Sequence, residues 1–328
     1  MRRMLCSLLL SAMLGTVAAP AAKAQQFPIP GRPVTLIYGF PAGTSGDVYL
    51  RLAAPRLSAA LGVPVTVENR VGATGNVAAE AVSRAPADGH TVALVTVSLT
   101  ATNPLLLRMS FDPMRDLAPV MRTFDAPNAF TVSTQARPQY TNCQAVISAL
   151  RAAPGRLNYA SSGIGASTHL AAAQFLQATG LEAQHVPYRG GPPAMIALYQ
   201  GEVEFFFYQS GTVVEDMRAG RVRILGITSA ERHPQLPDVP TVAEACNLPG
   251  FVSTTWHGLM VPSATPPAAI ARLNQEFLKI NADPEMQARL LNLGLTPLNS
   301  NPAEMLAATQ RDIQHWGEVI RRAGLQRE

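Results

Sequence analysis

Charge is scarce in this chain of 328 residues: acidic and basic side chains make up 15% of it, against roughly 25% in an average globular protein. Such a sequence has ample apolar material for a core, and its length suits two domains better than one. There is no run of Lys and Arg with interleaved aromatics, which removes the usual footprint of a nucleic-acid-binding surface. Past the N-terminal segment, no stretch reaches the roughly 18 uninterrupted apolar residues of a membrane-spanning helix. The chain has 3 cysteines, and none sits in a CxxC pair. His90, His169, His185, His233, His257 and His315 follow no metal-ligand spacing, so neither a metal nor a cofactor is expected. No serine sits in a GxSxG elbow, and no nucleophile and base can be paired from the sequence.

The first 24 residues read as a cleavable signal. Arg2 and Arg3 are basic, Leu8 to Ala19 form a short apolar region, and Ala22-Lys23-Ala24 supplies a small-x-small cleavage site. Cys6 precedes the apolar stretch, which argues against a lipoprotein anchor. The basic excess is largely a property of this segment. The chain has 26 basic and 22 acidic side chains, and removing Arg2, Arg3 and Lys23 leaves a balance of +1. Export to the periplasm is therefore the expectation. Cys143 and Cys246 remain after processing and could pair in an oxidising compartment. They lie 103 positions apart, and the lobe boundaries below put them in different lobes, so they read as two thiols.

From residue 34 onward, short apolar strands alternate with helices, which argues for parallel sheets of α/β type. Residues 34–40 read as a strand, the Pro41–Gly46 loop follows, and Asp47 is placed to cap a helix to Leu61, with Pro55 expected to kink it. Strands at 65–68 and 91–97 flank a helix opened by Asn76. The pattern resumes with strands at 129–133, 157–160, 184–187, 203–207 and 224–228, and with helices at 141–153, from 167, at 192–200 and at 213–219. A Pro-rich loop covers 233–249, and the chain after Pro266 is mostly helical. One lobe is expected from 25–122 plus 228–328 and a second from 123–227, joined by crossings near 120–125 and 227–231. Such an architecture is suited to closing on a ligand.

Two small-residue loops lie between a strand and a helix start. Phe40-Pro41-Ala42-Gly43-Thr44-Ser45-Gly46-Asp47 is one, and Ser161-Ser162-Gly163-Ile164-Gly165-Ala166-Ser167-Thr168 is the other. Helix starts leave backbone N–H groups unpaired at the positive end of the dipole, so a matched pair of such loops suits an anion held from both sides. The hydroxyls of Ser45, Ser162, Ser167 and Thr168 can add donors. Tyr208 and Gln209 leave the C-terminal end of a strand, where α/β sheets bind ligands. Gly163-Ile164-Gly165 falls short of the dinucleotide fingerprint, since Thr168 stands at its third glycine. His169 reads as packing.

Taken in order, several segments resemble the Bug-type receptors of tripartite tricarboxylate transporters. They are Phe40–Asp47, Val67-Glu68-Asn69-Arg70, Gly75-Asn76, Asp88-Gly89, Asn103-Pro104, Leu157–Gly163, His185-Val186-Pro187-Tyr188, Leu236–Thr241 and Trp316-Gly317. The resemblance implies a two-lobed type II periplasmic-binding-protein fold and uptake rather than catalysis. It also implies membrane transporter subunits as partners, a monomer, and a carboxylate held by the two loops. Thr96, Ser98 and Thr100, with Pro187 and Tyr188, would complete the pocket. The chain departs from the family pattern at Thr44, Gly46, Ile164, Ala166 and Tyr208, the last standing where Asp is common. With Leu99 and Ile164, these changes point to an aromatic or apolar acid rather than an amino acid. A sensor passing occupancy to a membrane partner, and a secreted hydrolase, are the competing readings.

Overall fold

The computed structural model describes residues 27–234 and 236–322; the segment read as a signal lies outside them. In chain order the strands are β1 (Val34–Tyr38), β2 (Val65–Asn69), β3 (Thr91–Thr96), β4 (Leu117–Ser133), β5 (Asn158–Ser161), β6 (Gln184–Pro187), β7 (Phe205–Gln209), β8 (Val222–Ile227), β9 (Thr254–Pro262) and β10 (Thr296–Pro297). The path β2-β1-β3-β9-β4 forms the sheet of the first lobe, and β4-β7-β5-β6 that of the second, with β8 and β10 added along β4. The pairs β1–β2, β1–β3, β5–β6 and β5–β7 are parallel, as the alternation predicts. Every pairing through β4 or β9 is antiparallel, which the sequence reading did not anticipate.

The long strand β4 belongs to both sheets. Leu117 to Pro127 pair with β9, while Asn128 onward pairs with β7 and β8. The first crossing is therefore at Pro127-Asn128 rather than at 120–125. The return crossing is fastened beside it. Asn128 N–H donates to Thr228 Oγ1 (2.8 Å), Thr228 Oγ1–H to Ser253 O (2.6 Å), and Ser253 N–H to Thr228 O (2.8 Å). Between Thr228 and Ser253 the chain stays on the second lobe, where Val242, Cys246 and Phe251 share a core with Phe130, Phe205 and Phe207. Residues 229–253 thus pack with the second lobe and not the first.

The helices are α1 (Ser45–Leu61), α2 (Asn76–Ser83), α3 (Val97–Ala101), α4 (Asn103–Leu106), α5 (Pro113–Asp116), α6 (Cys143–Ala152), α7 (Ser167–Thr179), α8 (Gly191–Gln200), α9 (Ser210–Arg218), α10 (Val242–Cys246), α11 (Pro267–Ala282), α12 (Pro284–Asn292) and α13 (Pro302–Arg322). In the first lobe α1, α11 and α12 bury Tyr49, Leu57, Leu273, Phe277 and Leu290 on one sheet face. On the other face α2, α3 and α13 bury Val82, Leu99 and Trp316. The second sheet is covered by α6, α7 and α10 on one side and by α8 and α9 on the other. Each fully buried Phe or Leu contributes about 1.5–3 kcal/mol.

Two local expectations change. Helix α1 runs through Pro55 without dividing, because Pro55 is exposed and the carbonyl that loses its partner can turn to water. Cys143, at the head of α6, and Cys246, at the end of α10, form a disulfide, with S–S 2.02 Å and Cα–Cα 5.4 Å. They read as separate thiols only because 229–253 was assigned to the other lobe. The bridge lies within one lobe and does not tie the two together.

Candidate functional site

The two small-residue loops face each other across the cleft between the lobes. Ser45 Oγ–H donates to Gln209 Oε1 (2.6 Å), Thr74 Oγ1–H to Ile164 O (3.0 Å), and Thr102 Oγ1–H to Gly165 O (2.8 Å). Between them lies a small chamber of about 30 Å³, lined by Tyr38, Phe40, Thr44, Thr96, Ser98, Ser162, Ala166, Ser167, Thr168, Gly191, Tyr208 and Gln209. That is space for about two water-sized groups. A larger chamber of about 590 Å³ shares Phe40 and Ser162 with it. Its walls are Gly39, Pro41, Val71, Gly72, Ala73, Thr74, Leu107, Gly163, Ile164, Tyr188, Arg189 and Gly190.

Five helices begin at the small chamber: α1 after Thr44, α3 after Thr96, α7 after Ala166, α8 at Gly191 and α9 after Gln209. None has a side chain bonded to its first N–H groups from the capping position. Helix starts without side-chain caps and neutral hydroxyls therefore converge on one point, where they favour an anion; in α1 the Gly46 N–H is engaged by Tyr38. No charged side chain lines this chamber. Two tyrosines form its floor, one from each lobe. A Cβ on Gly46 would come within 2.3 Å of the Tyr38 ring, and one on Gly191 within 2.1 Å of Tyr208, so glycine is required where each ring passes under a first helical turn. Burial pushes both phenols up, keeping them as neutral hydroxyls. Tyr38 Oη lies 3.2 Å from His257 Nε2, and burial holds that histidine down to about 3.

The sequence-selected residues divide into two groups. Phe40, Thr44, Thr96, Ser98, Ser162, Gly163, Ala166, Ser167, Thr168, Tyr188, Tyr208 and Gln209 lie on the chamber walls. Ala42, Gly43, Ser45, Asp47, Ser161, Gly165 and Pro187 do not. Ala42, Gly43 and Pro187 are exposed beside the walls, and Ser45 is engaged with Gln209. Asp47 lies in the first turn of α1 rather than at its cap, where its carboxylate accepts from Gly43 N–H (2.9 Å) and Arg51. Burial pushes the Asp47 carboxyl up, but the bonds from Arg51, Gly43 and Asn69 outweigh this and hold it below its ordinary range. It is thus a carboxylate paired with Arg51. Gly165 is seated against Asn103 and Thr102, and Ser161 is fully buried behind its loop.

Sequence reasoning missed Tyr38, Gly191 and most of the outer chamber. The turn Gly190-Gly191-Pro192 carries the small-residue signal used for the other two loops. Arg189, next to the selected Tyr188, is the only charged side chain lining the outer chamber. Ala73 and Thr74, at φ 44° and 52°, occupy the left-handed region without being glycine. Such strain clusters at functional sites, but nothing in the sequence signals it.

Ser161 Oγ lies 2.6 Å from His185 Nε2, the spacing of a nucleophile and its base. Ser161 lines neither chamber, so a substrate in either has no route to its oxygen. Among the described residues no group of three or more His, Cys, Asp or Glu is placed to hold a metal, and no helix is long and apolar enough to cross a membrane.

The family model described as "Tripartite tricarboxylate transporter family receptor" (TctC) matches residues 49–325. Protein BugT of Bordetella pertussis is 32% identical over 297 residues, covering 90% of this chain and 90% of BugT. The structure of Rpa4515 of R. palustris with adipate is 33% identical, with a TM-score of 0.87, covering 91% of this chain and 99% of that one. MatC (Rpa3494) from Rhodopseudomonas palustris with bound malate is 29% identical, with a TM-score of 0.81, covering 89% and 100%. These matches extend over both lobes and the cleft between them, and the chain belongs to the TctC/Bug family of periplasmic solute-binding receptors of tripartite tricarboxylate transporters.

Proposed function

We propose that this receptor captures a small carboxylate, with an aromatic or otherwise apolar body, by closing its lobes about the Pro127-Asn128 and Thr228–Ser253 crossings. It then delivers that acid to the membrane subunits of a tripartite tricarboxylate transporter. The observation that carries the reading is the meeting of five uncapped helix starts at a neutral polar chamber that shares Phe40 and Ser162 with a larger, mostly apolar one. A carboxylate fits the first, with its two oxygens among the hydroxyls of Ser98, Ser162 and Ser167. Its body extends past Phe40, Val71, Leu107 and Ile164. Adipate and malate in the similar structures support a carboxylate as the ligand class. No acid lines either chamber to pair with an amine, which disfavours an amino acid. In this reading residues 1–24 are removed on export, and the receptor acts as a monomer without metal or cofactor.

A thermal-shift panel of benzoate, adipate and glutamate tests it. An acid at about 100 times its dissociation constant stabilises by about 2.7 kcal/mol, so benzoate or adipate is expected to raise the melting temperature and glutamate to leave it unchanged. A response to glutamate alone would overturn the apolar preference, and no response to any carboxylate would overturn the ligand class.

A further inference from the structure

Beneath the Ser161–Thr168 loop two imidazoles lie face to face. His169, in the first turn of α7, and His185, in β6, have ring centroids 3.8 Å apart and planes 3° apart. Each holds one point of the loop. Gly165 N–H donates to His169 Nδ1 at 3.1 Å, and Ser161 Oγ meets His185 Nε2 at 2.6 Å. Ser161 Oγ also bonds both the carbonyl and the N–H of Gly163 (3.1 and 3.2 Å). The two rings therefore fix Ser161, Gly163 and Gly165, which bracket the chamber residues Ser162 and Ala166.

The first bond settles the state of His169. An amide N–H donates only to a ring nitrogen that carries no proton, so the proton of His169 is on Nε2. That atom is buried and has no partner among the described residues. A second proton would sit on Nδ1 and point at the Gly165 N–H. Two charged rings at this separation would also repel.

We propose that His169 and His185 are positioning residues that hold the Ser161–Thr168 loop in its ligand-accepting shape only while both rings are uncharged, so that capture weakens in acid. The proposal rests on the carboxylate-capture reading. Burial, and then the like charge of its neighbour, hold His169 down to about 3, and burial holds His185 down to about 4. Tyr159, on β5, stacks on both rings and stays neutral through burial. Among the described residues, β4, β7, β9 and α13 also pack on α7, and their acids and bases interact electrostatically with neither ring. A loosened loop returns the rings toward the ordinary histidine value of about 6.5. Affinity is therefore flat above that pH and falls between it and about 4.

Four single variants test this: His169→Leu, His169→Asn, His185→Leu and His185→Gln. An Asn amide oxygen can replace Nδ1 as acceptor, and a Gln amide can replace Nε2. Adipate and benzoate binding is measured by calorimetry at about pH 8 and about pH 5.5, either side of the ordinary histidine value. The Leu variants are expected to bind roughly tenfold more weakly at the higher pH, the size of one lost hydrogen bond. The Asn and Gln variants recover most of that loss, each keeps only the acid dependence of the remaining histidine, and the double variant His169→Asn with His185→Gln loses it. Equal binding by Leu and Asn variants, or a parent affinity that does not change with pH, would overturn the proposal. Amide exchange at Gly165 in the ligand-free protein gives a second readout, expected to be faster in His169→Leu than in His169→Asn. Equal exchange also overturns the proposal. Unequal exchange with no binding of either acid by the parent would instead overturn the carboxylate reading.

Discussion

Helices α6, α10 and α12, on the outside of the molecule, begin differently from the five at the small chamber. Asn142 accepts from Ala145 N–H at the start of α6, Asp283 from Met286 N–H at α12, and Thr241 shares a reciprocal capping box with Glu244 at α10. The five helices that start at the small chamber have no such side chain. On the outside, local hydrogen bonds satisfy the first N–H groups and stabilise the fold. At the cleft no capping side chain takes those groups. On the proposed function, the difference separates residues that hold the fold from residues that would hold the ligand, and substitutions can test that separation.

The largest effect is expected at the outer disulfide. Replacing both Cys143 and Cys246 with serine should cost about 2–4 kcal/mol of stability, as loss of a native bridge commonly does, measured by denaturant unfolding. Carboxylate affinity should stay within about twofold, since the bridge joins α6 to α10 inside one lobe; a tenfold loss, or about 1.4 kcal/mol, would show that it shapes the cleft. The next comparison sets one cap against one cleft hydroxyl. Thr241→Ala should lose about 1 kcal/mol of stability and no affinity. Ser167→Ala should keep stability within about 0.5 kcal/mol and weaken carboxylate binding roughly tenfold. If the two variants behave alike, the separation fails. The smallest effect is expected at exposed Arg189. Arg189→Ala should weaken adipate by no more than about fivefold and leave benzoate unchanged, with the difference shrinking as salt is added.

Much of this arrangement was legible in the sequence because local chemistry writes it. The turns Pro41–Gly46 and Ser161–Ala166 interrupt apolar runs with small residues; the helix after the second starts at Ser167 as expected, and that after the first starts three residues earlier than a cap at Asp47 implies. The strand at 184–187 and the helices after Pro266 follow equally local signals. What escaped depends on distant pairing. Strand β9, Thr254–Pro262, is buried along almost its whole length and so shows no alternation of polar and apolar residues. Strand β4 was read only over 129–133, and the missed part, from Leu117, contains Pro119 and Pro127, residues that are rare inside a strand. In the fold, the β4–β9 register shifts just after Pro119, and Pro127 stands where β4 changes partners. Cys143 and Cys246 meet because the chain between 228 and 253 folds back over the second lobe, which no spacing rule reveals. The stacked histidines escaped for the same reason. His169 and His185 sit on different elements, and His169 alone reads as packing.

The change of partners along β4 has a mechanical meaning. Hydrogen bonds to β9 end at Pro127, and those to β7 and β8 begin at Asn128 and Ala129, so bending between them shears no ladder. Proline at the bend has no N–H to lose. The lobes are joined by a leaf spring with a ready-made crease, and side-chain bonds across the cleft, from Ser45 to Gln209, Thr74 to Ile164, Thr102 to Gly165 and Ser210 to Gly294, resist its opening. Whatever replaces or reinforces those bonds in the cleft sets how long the lobes stay together.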